Sequence, residues 1–290
     1  MVMVVVPPSG GAGTIISRWV FDPFTVLAIG AAGSAYAAGL IRLRRTGRTM
    51  PRGAAAAFFA GLAVLALALV SPVDAYADVS FSTHMAQHLL LTMLAPPLLA
   101  LGAPITLALR AASARVGRRV SVALRSRAVT FLARPVVGWL LFVGVSYVVH
   151  LSPLFDAALR SNPVHAFEHV LWLSVAFIYW WPIVGRDPSP HPMRYPVRLL
   201  SLFLAMPAMS FLAVAIYTGS TPMYGTYASL PAPWGPAALA SQRDAAVTMW
   251  FVGNLGFVLA MLVVAAAWKR DDDARQRRVE AREDAAAARS

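Results

Sequence analysis

The sequence contains no cysteine and only one lysine, Lys269, among its 290 residues. The lack of cysteine excludes disulfides, thiolate metal sites, iron–sulfur clusters and Cys-x-x-Cys redox chemistry. Any metal site must therefore use histidine, methionine, carboxylate or backbone oxygen ligands. Charged residues are also scarce, at 13% of the chain, whereas 58% of the residues are hydrophobic.

This balance predicts an integral membrane protein. The mean hydropathy is +0.63, and so few polar residues could not cover the surface of a soluble protein of this size. The formal charge of +12 would suggest nucleic acid in a soluble protein. Here the basic residues lie between apolar stretches, so we expect no nucleic-acid partner.

Seven apolar stretches are long enough to cross about 30 Å of hydrocarbon. They predict an all-α, polytopic bundle of seven transmembrane helices. The fourth stretch is short, and the third contains Pro96, Pro97 and Pro104, which predict a kinked or broken helix. The stretches cover residues 24–41, 53–72, 83–109, 135–151, 163–184, 196–217 and 243–268.

The basic residues lie mainly at one side of these stretches. Of the 25 basic residues, 22 fall on one side, and only Arg18, Arg160 and Arg243 fall on the other. By the positive-inside rule, the N-terminus is predicted to lie outside and the C-terminus in the cytoplasm. The high positive charge then reflects topology and contact with anionic lipid rather than a soluble partner.

We divide the chain into an extracytoplasmic segment (residues 1–23), a transmembrane domain (24–268) and a charged cytoplasmic tail (269–290). Met1–Pro8 lacks a basic region, so we expect no cleavable signal peptide there. Residues 110–134 fit either an interfacial amphipathic helix or a solvated loop. The tail fits either a frayed helix or disorder.

Five of the six histidines fall at the predicted outer end of the bundle, and His191 lies in an inner loop. Two stretches carry His-x-x-x-His, a spacing that places both imidazoles on one helical face. Polar side chains at membrane depth are costly, so two such pairs require compensating partners. The five predicted metal ligands are His84 and His88 in the third stretch, His150 in the fourth, and His165 and His169 in the fifth.

Imidazole suits copper, zinc, iron and nickel, and thioethers additionally favour Cu(I). Met85 is adjacent to His84, and Met223 and Met249 lie near the outer part of the last loop and stretch. Copper, as Cu(I), is therefore the predicted metal. Additional weak or orienting ligands are predicted at Met85, Glu168, Asp74, Asp244 and Met249.

Two other site chemistries compete with copper binding. His165-Ala-Phe-Glu168-His169 matches the His-x-x-Glu-His pattern of some zinc peptidases. The later glutamates, Glu280 and Glu283, lie in the tail, where they could not supply the third ligand. Haem b bound by two histidines is the stronger alternative, but four-residue spacing within one helix does not place two ligands on opposite sides of a macrocycle.

Several motifs resemble the cytochrome c oxidase assembly factor CtaG of the caa3 type. The resemblance covers roughly residues 50–265. Its most specific part is the block from Ser82 to His88, which reads Ser-Thr-His-Met-Ala-Gln-His. The other parts are Ala95–Leu99, Leu101–Pro104, His150–Phe155, His165–His169, Trp180-Trp181-Pro182 and Asp244–Trp250.

The resemblance implies a non-enzymatic accessory protein of the bacterial plasma (inner) membrane, needed to form active haem–copper oxidase. Its implied partners are oxidase subunits and other copper chaperones. The segment Gln242–Ala246 departs from the family's pattern, which leaves any ligand role there open.

A membrane redox or transport protein is the second functional class, in which the same histidines hold haem or relay copper across the bilayer. A transporter should have polar residues continuing to the inner leaflet. Apart from small hydroxyls such as Thr92 and Thr106, the third and fifth stretches show no such path.

Overall fold

The computed structural model describes residues 18–232, 234 and 237–287. Within these ranges all regular structure is helical, which confirms the predicted all-α membrane bundle. Most of the predicted N-terminal segment, including Met1–Pro8, lies outside the described residues, so the expectation about a signal peptide stays a prediction.

Six helices are long and apolar enough, by length and composition, to cross a membrane. The short stretch Pro135–Leu151 qualifies only together with Leu154–Arg160, which follows it at a bend of 67°. It is numbered here as the fourth helix. The other six are Pro23–Arg45 (first), Arg52–Ala77 (second), Phe81–Ala111 (third), Asn162–Val184 (fifth), Tyr195–Tyr217 (sixth) and Ala238–Ala287 (seventh).

The third helix is interrupted twice. Leu90–Leu94 form a π-helical turn, and the α-helix stops at Gly102 before Pro104–Ala111 continues it. Ala103, which lies between Gly102 and Pro104, adopts a left-handed conformation with φ of 51°. The proline-rich sequence therefore breaks the regular helix, as predicted.

A carboxylate from the loop between the fifth and sixth helices caps the helix where it restarts after the second interruption. Asp187 accepts hydrogen bonds from the backbone N–H groups of Ile105, at 3.0 Å, and Thr106, at 2.6 Å. Donors at a helix start have no partner within the helix, so this contact stabilises the restart. Burial raises the pKa of Asp187 above its ordinary value despite these hydrogen bonds.

Two apolar clusters hold the bundle together. The first three helices share one cluster, in which Tyr36 stacks on Phe58 and donates a hydrogen bond to the carbonyl of Gly102 at 2.7 Å. A Cβ at Gly102 would lie 2.6 Å from the Cβ of Phe58, so only glycine allows this approach. The larger cluster joins the third to seventh helices and surrounds the candidate site.

Residues 110–134 and the described part of the tail, for which the sequence allowed two interpretations each, are both largely helical. Residues 110–134 contain the helices Ala114–Leu124 and Arg127–Leu132, neither of which buries a side chain. Exposed Val116, Val122 and Phe131 lie among the arginines, as expected of an interfacial amphipathic helix. The seventh helix continues without a break through the tail to Ala287.

Membrane orientation can be tested by labelling, because the chain has no native cysteine. Ala228, between the sixth and seventh helices, and Ala114, between the third and fourth, are both exposed. We expect Ala228→Cys to react with a membrane-impermeant maleimide in intact cells. Ala114→Cys should react only after permeabilisation, because the positive-inside rule places it in the cytoplasm. Labelling of both variants in intact cells would contradict this orientation.

Candidate metal centre

All five predicted ligand histidines lie side by side in one row at the end of the bundle opposite the arginine-rich loops. The fifth helix contributes its first turns, the third helix its first two turns, and the fourth helix its last turn. The ring centroids are separated by 4.2 Å (His169–His165), 5.2 Å (His165–His84), 4.5 Å (His84–His88) and 5.8 Å (His88–His150).

The compact centre of this row includes a carboxylate. One ligand atom from each of His84, His88 and Glu168 lies within 4.8 Å of the other two. Nε2 of His88 is 3.6 Å from Oε1 of Glu168, and all three side chains are buried. Two imidazoles and a carboxylate form a donor set that suits a divalent or monovalent transition-metal ion. Glu168, expected as an orienting group, thus lies as close to the centre as the two histidines do.

The row concentrates buried polar atoms that lack hydrogen-bond partners. Such atoms usually cost about 1–3 kcal/mol each, and native proteins contain few of them. Their accumulation at one place indicates that the row is arranged around a ligand rather than around protein partners. The atoms in this row are Nε2 of His84, His150, His165 and His169, both ring nitrogens of His88, and Oε2 of Glu168.

A tyrosine fixes which nitrogen of His84 is free. Tyr227 donates its hydroxyl proton to the carbonyl of Ala77 at 2.7 Å, and the same oxygen lies 3.0 Å from Nδ1 of His84. The hydroxyl must therefore accept from an Nδ1–H, which leaves Nε2 as a lone-pair donor. Burial raises the pKa of Tyr227 well above its ordinary value, with the nearby Asp78 adding to the effect. Its proton is thus retained.

A backbone carbonyl has the same effect on His150. Nδ1 lies 2.9 Å from the carbonyl oxygen of Ser146, which can only accept, so Nδ1 carries the proton. The Nε2 lone pair of His150 is then available to a ligand, as in His84. Two histidines from different helices are therefore held in the same metal-binding tautomer.

Aromatic side chains cover the row. Phe155 packs against His84, His88 and His150 with ring centroids 4.7–5.7 Å apart. Tyr224 stacks on Phe155 at 4.2 Å, and its hydroxyl donates to the carbonyl of His150 at 3.0 Å. Burial raises the pKa of Tyr224, so it too stays protonated. The cover excludes water from the nitrogens beneath it.

A small cavity of about 30 Å³ adjoins His88 and His150. Met85 and Met249, both predicted as weak ligands, line it. Met93 and Met209 line it too, although sequence reasoning did not single them out. Met93 is eight residues from Met85, which places the two about 80° apart around a regular α-helix, and the π-helical turn Leu90–Leu94 lies between them. Met209 lies on a helix without any histidine.

The remaining predicted residues lie outside the row. Asp74 accepts a hydrogen bond from Gln87 at 2.6 Å, and Asp244 is exposed. Met223 is only partly buried and packs against the larger apolar cluster. His191 lies in the loop between the fifth and sixth helices, where Nε2 donates to the carbonyl of Thr130 at 3.1 Å.

The segment that departs from the family pattern has a structural role. Gln242 is buried, accepts from the backbone N–H of Met223 at 2.7 Å and donates to the carbonyl of Ile216 at 3.0 Å. Its amide joins the seventh helix to the end of the sixth helix and the loop that follows it. This contact leaves no free ligand atom on Gln242.

The family model described as cytochrome c oxidase caa3 assembly factor matches residues 34–271. The chain belongs to this family. The match spans every helix that contributes to the histidine row. The description of the family as an assembly factor suggests a non-catalytic role.

Longer proteins that contain a similar segment occur in mycobacteria. The chain is 36% identical over 282 residues to uncharacterized proteins of Mycobacterium bovis and Mycobacterium tuberculosis, covering 93% of this chain and 42% of each relative. An uncharacterized protein of Mycobacterium leprae is 35% identical over 274 residues, covering 92% and 41%. The chain thus spans about two fifths of the length of these relatives. No solved structure matches it.

The contact between Tyr227 and His84 can be tested directly. We expect Tyr227→Phe to weaken metal binding by roughly 10–100-fold, the usual effect of removing a group that orients a ligand histidine. The variant keeps the ring but loses the hydroxyl that fixes the tautomer of His84. Competition titration against a Cu(I) chelator measures the change. Tyr217→Phe, on the exposed end of the sixth helix, is the control and should bind as the parent protein does.

Proposed function

We propose that this protein is an accessory factor in the assembly of a haem–copper oxidase, and that it binds Cu(I) at the histidine row and delivers it. The observation that carries the proposal is the accumulation of unpartnered nitrogen and oxygen atoms on His84, His88, His150, His165, His169 and Glu168. Family membership supports the assembly role, and the buried donor set supports metal handling.

Copper is favoured over other metals by the donors beside the row. Imidazole accepts several transition metals, but thioether sulfur selects Cu(I). Four methionines line the cavity next to His88 and His150. A monovalent ion bound by neutral imidazoles also carries little net charge, and this lowers its cost at membrane depth.

The geometry argues against haem at this place. The cavity beside His88 and His150 measures about 30 Å³, whereas pockets for cofactor-sized molecules measure about 300–1,000 Å³. The centroids of neighbouring rings in the row are 4.2–5.8 Å apart, which leaves no room for a macrocycle between them. A haem site would require the third, fourth and fifth helices to separate.

The peptidase alternative also finds no support in the arrangement. In the His-x-x-Glu-His pattern the two histidines of one helix bind the metal and the glutamate acts as a base. Here Glu168 forms the compact group with His84 and His88 of another helix instead. Its Oε1 also accepts a hydrogen bond from Trp172 at 3.2 Å.

Delivery at one face is favoured over transport across the bilayer. Thr92 and Ser146 lie beside the cavity, but each hydroxyl donates to a carbonyl of its own helix, that of His88 and Phe142 respectively. Farther along the fifth helix, the buried residues are all apolar or aromatic: Val175, Ala176, Tyr179, Trp180, Trp181, Pro182 and Ile183. The ligand row therefore ends within the bundle. Oxidase subunits and other copper chaperones are the proposed partners, reached from the outer face of a bacterial plasma membrane.

Metal analysis combined with an absorption spectrum tests this function. Protein purified from copper-supplemented cells should contain copper, at up to a few ions per chain, and no Soret band. A stoichiometric haem spectrum that His88→Ala abolishes would contradict the copper proposal and support the haem alternative.

A further inference from the structure

The cavity beside the histidine row combines soft ligands from separate helices. Met85 and Met93 reach it from the third helix, Met209 from the sixth and Met249 from the seventh. His88 and His150 complete the polar part of its lining. A volume of about 30 Å³ exceeds the roughly 10–15 Å³ needed to hold one water-sized species.

Core packing alone does not account for this arrangement. Methionine is a flexible residue that fills irregular gaps in apolar cores, yet these four leave a gap unfilled. The same gap adjoins two imidazoles with unpartnered buried nitrogens, including Nε2 of His150, whose lone pair is free. Thioethers and free imidazole nitrogens at one small cavity are the donors that Cu(I) prefers.

We propose that this cavity is a second Cu(I) position, bound mainly by methionine thioethers and distinct from the His84–His88–Glu168 group. The inference rests on the proposed function, because it assumes that the histidine row receives copper. His88 belongs to the compact group and also lines the cavity. An ion can therefore pass between the two positions while it keeps one ligand.

The two positions differ in the class of ligand they offer. The compact group supplies imidazole nitrogen and a carboxylate oxygen. It lies next to His165, whose Nδ1 is 4.0 Å from Oδ1 of the half-exposed Asp78. The cavity lies farther into the bundle and offers neutral sulfur. Cu(I) should consequently be retained in the cavity more strongly than zinc or Cu(II), which prefer nitrogen and oxygen ligands.

X-ray absorption spectroscopy of copper can identify this position, because the chain contains no cysteine. Any sulfur ligand must then be a methionine. We expect the full-length protein, loaded with Cu(I) under anaerobic reducing conditions, to bind about two ions and to show sulfur in its first coordination sphere. Met93→Leu/Met209→Leu should halve the bound copper and remove the sulfur signal.

The controls keep the test specific. Leucine conserves the volume of methionine closely enough for the fold to survive. Met206→Leu/Met261→Leu changes partly buried methionines on the sixth and seventh helices that do not line the cavity, so it should behave as the parent protein. Ag(I), which has the same preference for thioethers, should compete for the cavity position.

Copper bound only by nitrogen and oxygen, and lost in His84→Ala/His88→Ala, would overturn the second position and leave the proposed function intact. An unchanged sulfur signal in Met93→Leu/Met209→Leu would also overturn it. A parent protein that binds no Cu(I) would overturn both the second position and the proposed function.

Discussion

His84→Ala/His88→Ala should weaken copper binding at the compact group by more than about 100-fold, because it removes both imidazoles of that group. The remaining Glu168, His150, His165 and His169 are spread along a row and cannot surround one ion in the same way. The double variant should still insert and fold, since it also removes unpartnered buried nitrogens that cost stability. The copper content of the purified protein measures the effect, and X-ray absorption distinguishes loss from the compact group from sulfur-bound copper that stays in the methionine cavity.

In cells, the same variant should leave an oxidase that retains its haems but lacks full activity. Added external copper should restore part of that activity, because mass action replaces directed delivery. His191→Ala, in the loop between the fifth and sixth helices, where His191 hydrogen-bonds to Ser189 and Thr130, is the matched control. Normal copper content and normal oxidase activity in His84→Ala/His88→Ala would mean that the row is structural.

Glu168→Gln should change affinity and stability in opposite directions. The carboxylate is fully buried, and Oε2 has no hydrogen-bond partner in the described structure. A buried charge without a cation is costly, and a bound metal ion compensates it. The variant should therefore bind copper roughly 10–100-fold more weakly, while the metal-free protein melts at the same temperature or higher.

Chelator competition and thermal unfolding of the metal-free protein measure these two effects. Glu168→Asp is the companion variant: it keeps the charge but withdraws it by one methylene, so it should weaken binding without stabilising the metal-free fold. Equal affinity in Glu168→Gln and the parent protein would remove Glu168 from the site.

The sequence predicted the helices and the convergence of the histidines because both follow from simple periodicities. Apolar length defines the spans, and four-residue spacing places His84 with His88 and His165 with His169. The break in the third helix followed from its prolines. The metal, its stoichiometry and the membrane orientation stay predictions.

The contacts that complete the candidate site depend on packing between distant segments, which single-sequence patterns do not carry. Tyr227 lies 143 residues from His84, in a loop with no periodic signal. Met209 and His150 line the same cavity because the fourth and sixth helices pack together. Asp187 lies in a loop whose sequence pattern indicates no role, and its capping of the third helix follows only from the folded structure.

The aromatic cover over the row has a kinetic consequence. Tyr224 and Tyr227 bind the carbonyls of His150 and Ala77, and Tyr224 stacks on Phe155. Opening this loop breaks at least these two hydrogen bonds and this aromatic contact, at a cost of roughly 3 kcal/mol or more. Spontaneous escape of a bound ion through the loop would then be about 100-fold slower than from an uncovered site. Dwell time on the protein, more than equilibrium affinity, would decide whether copper leaves into water or passes to a client that displaces the loop.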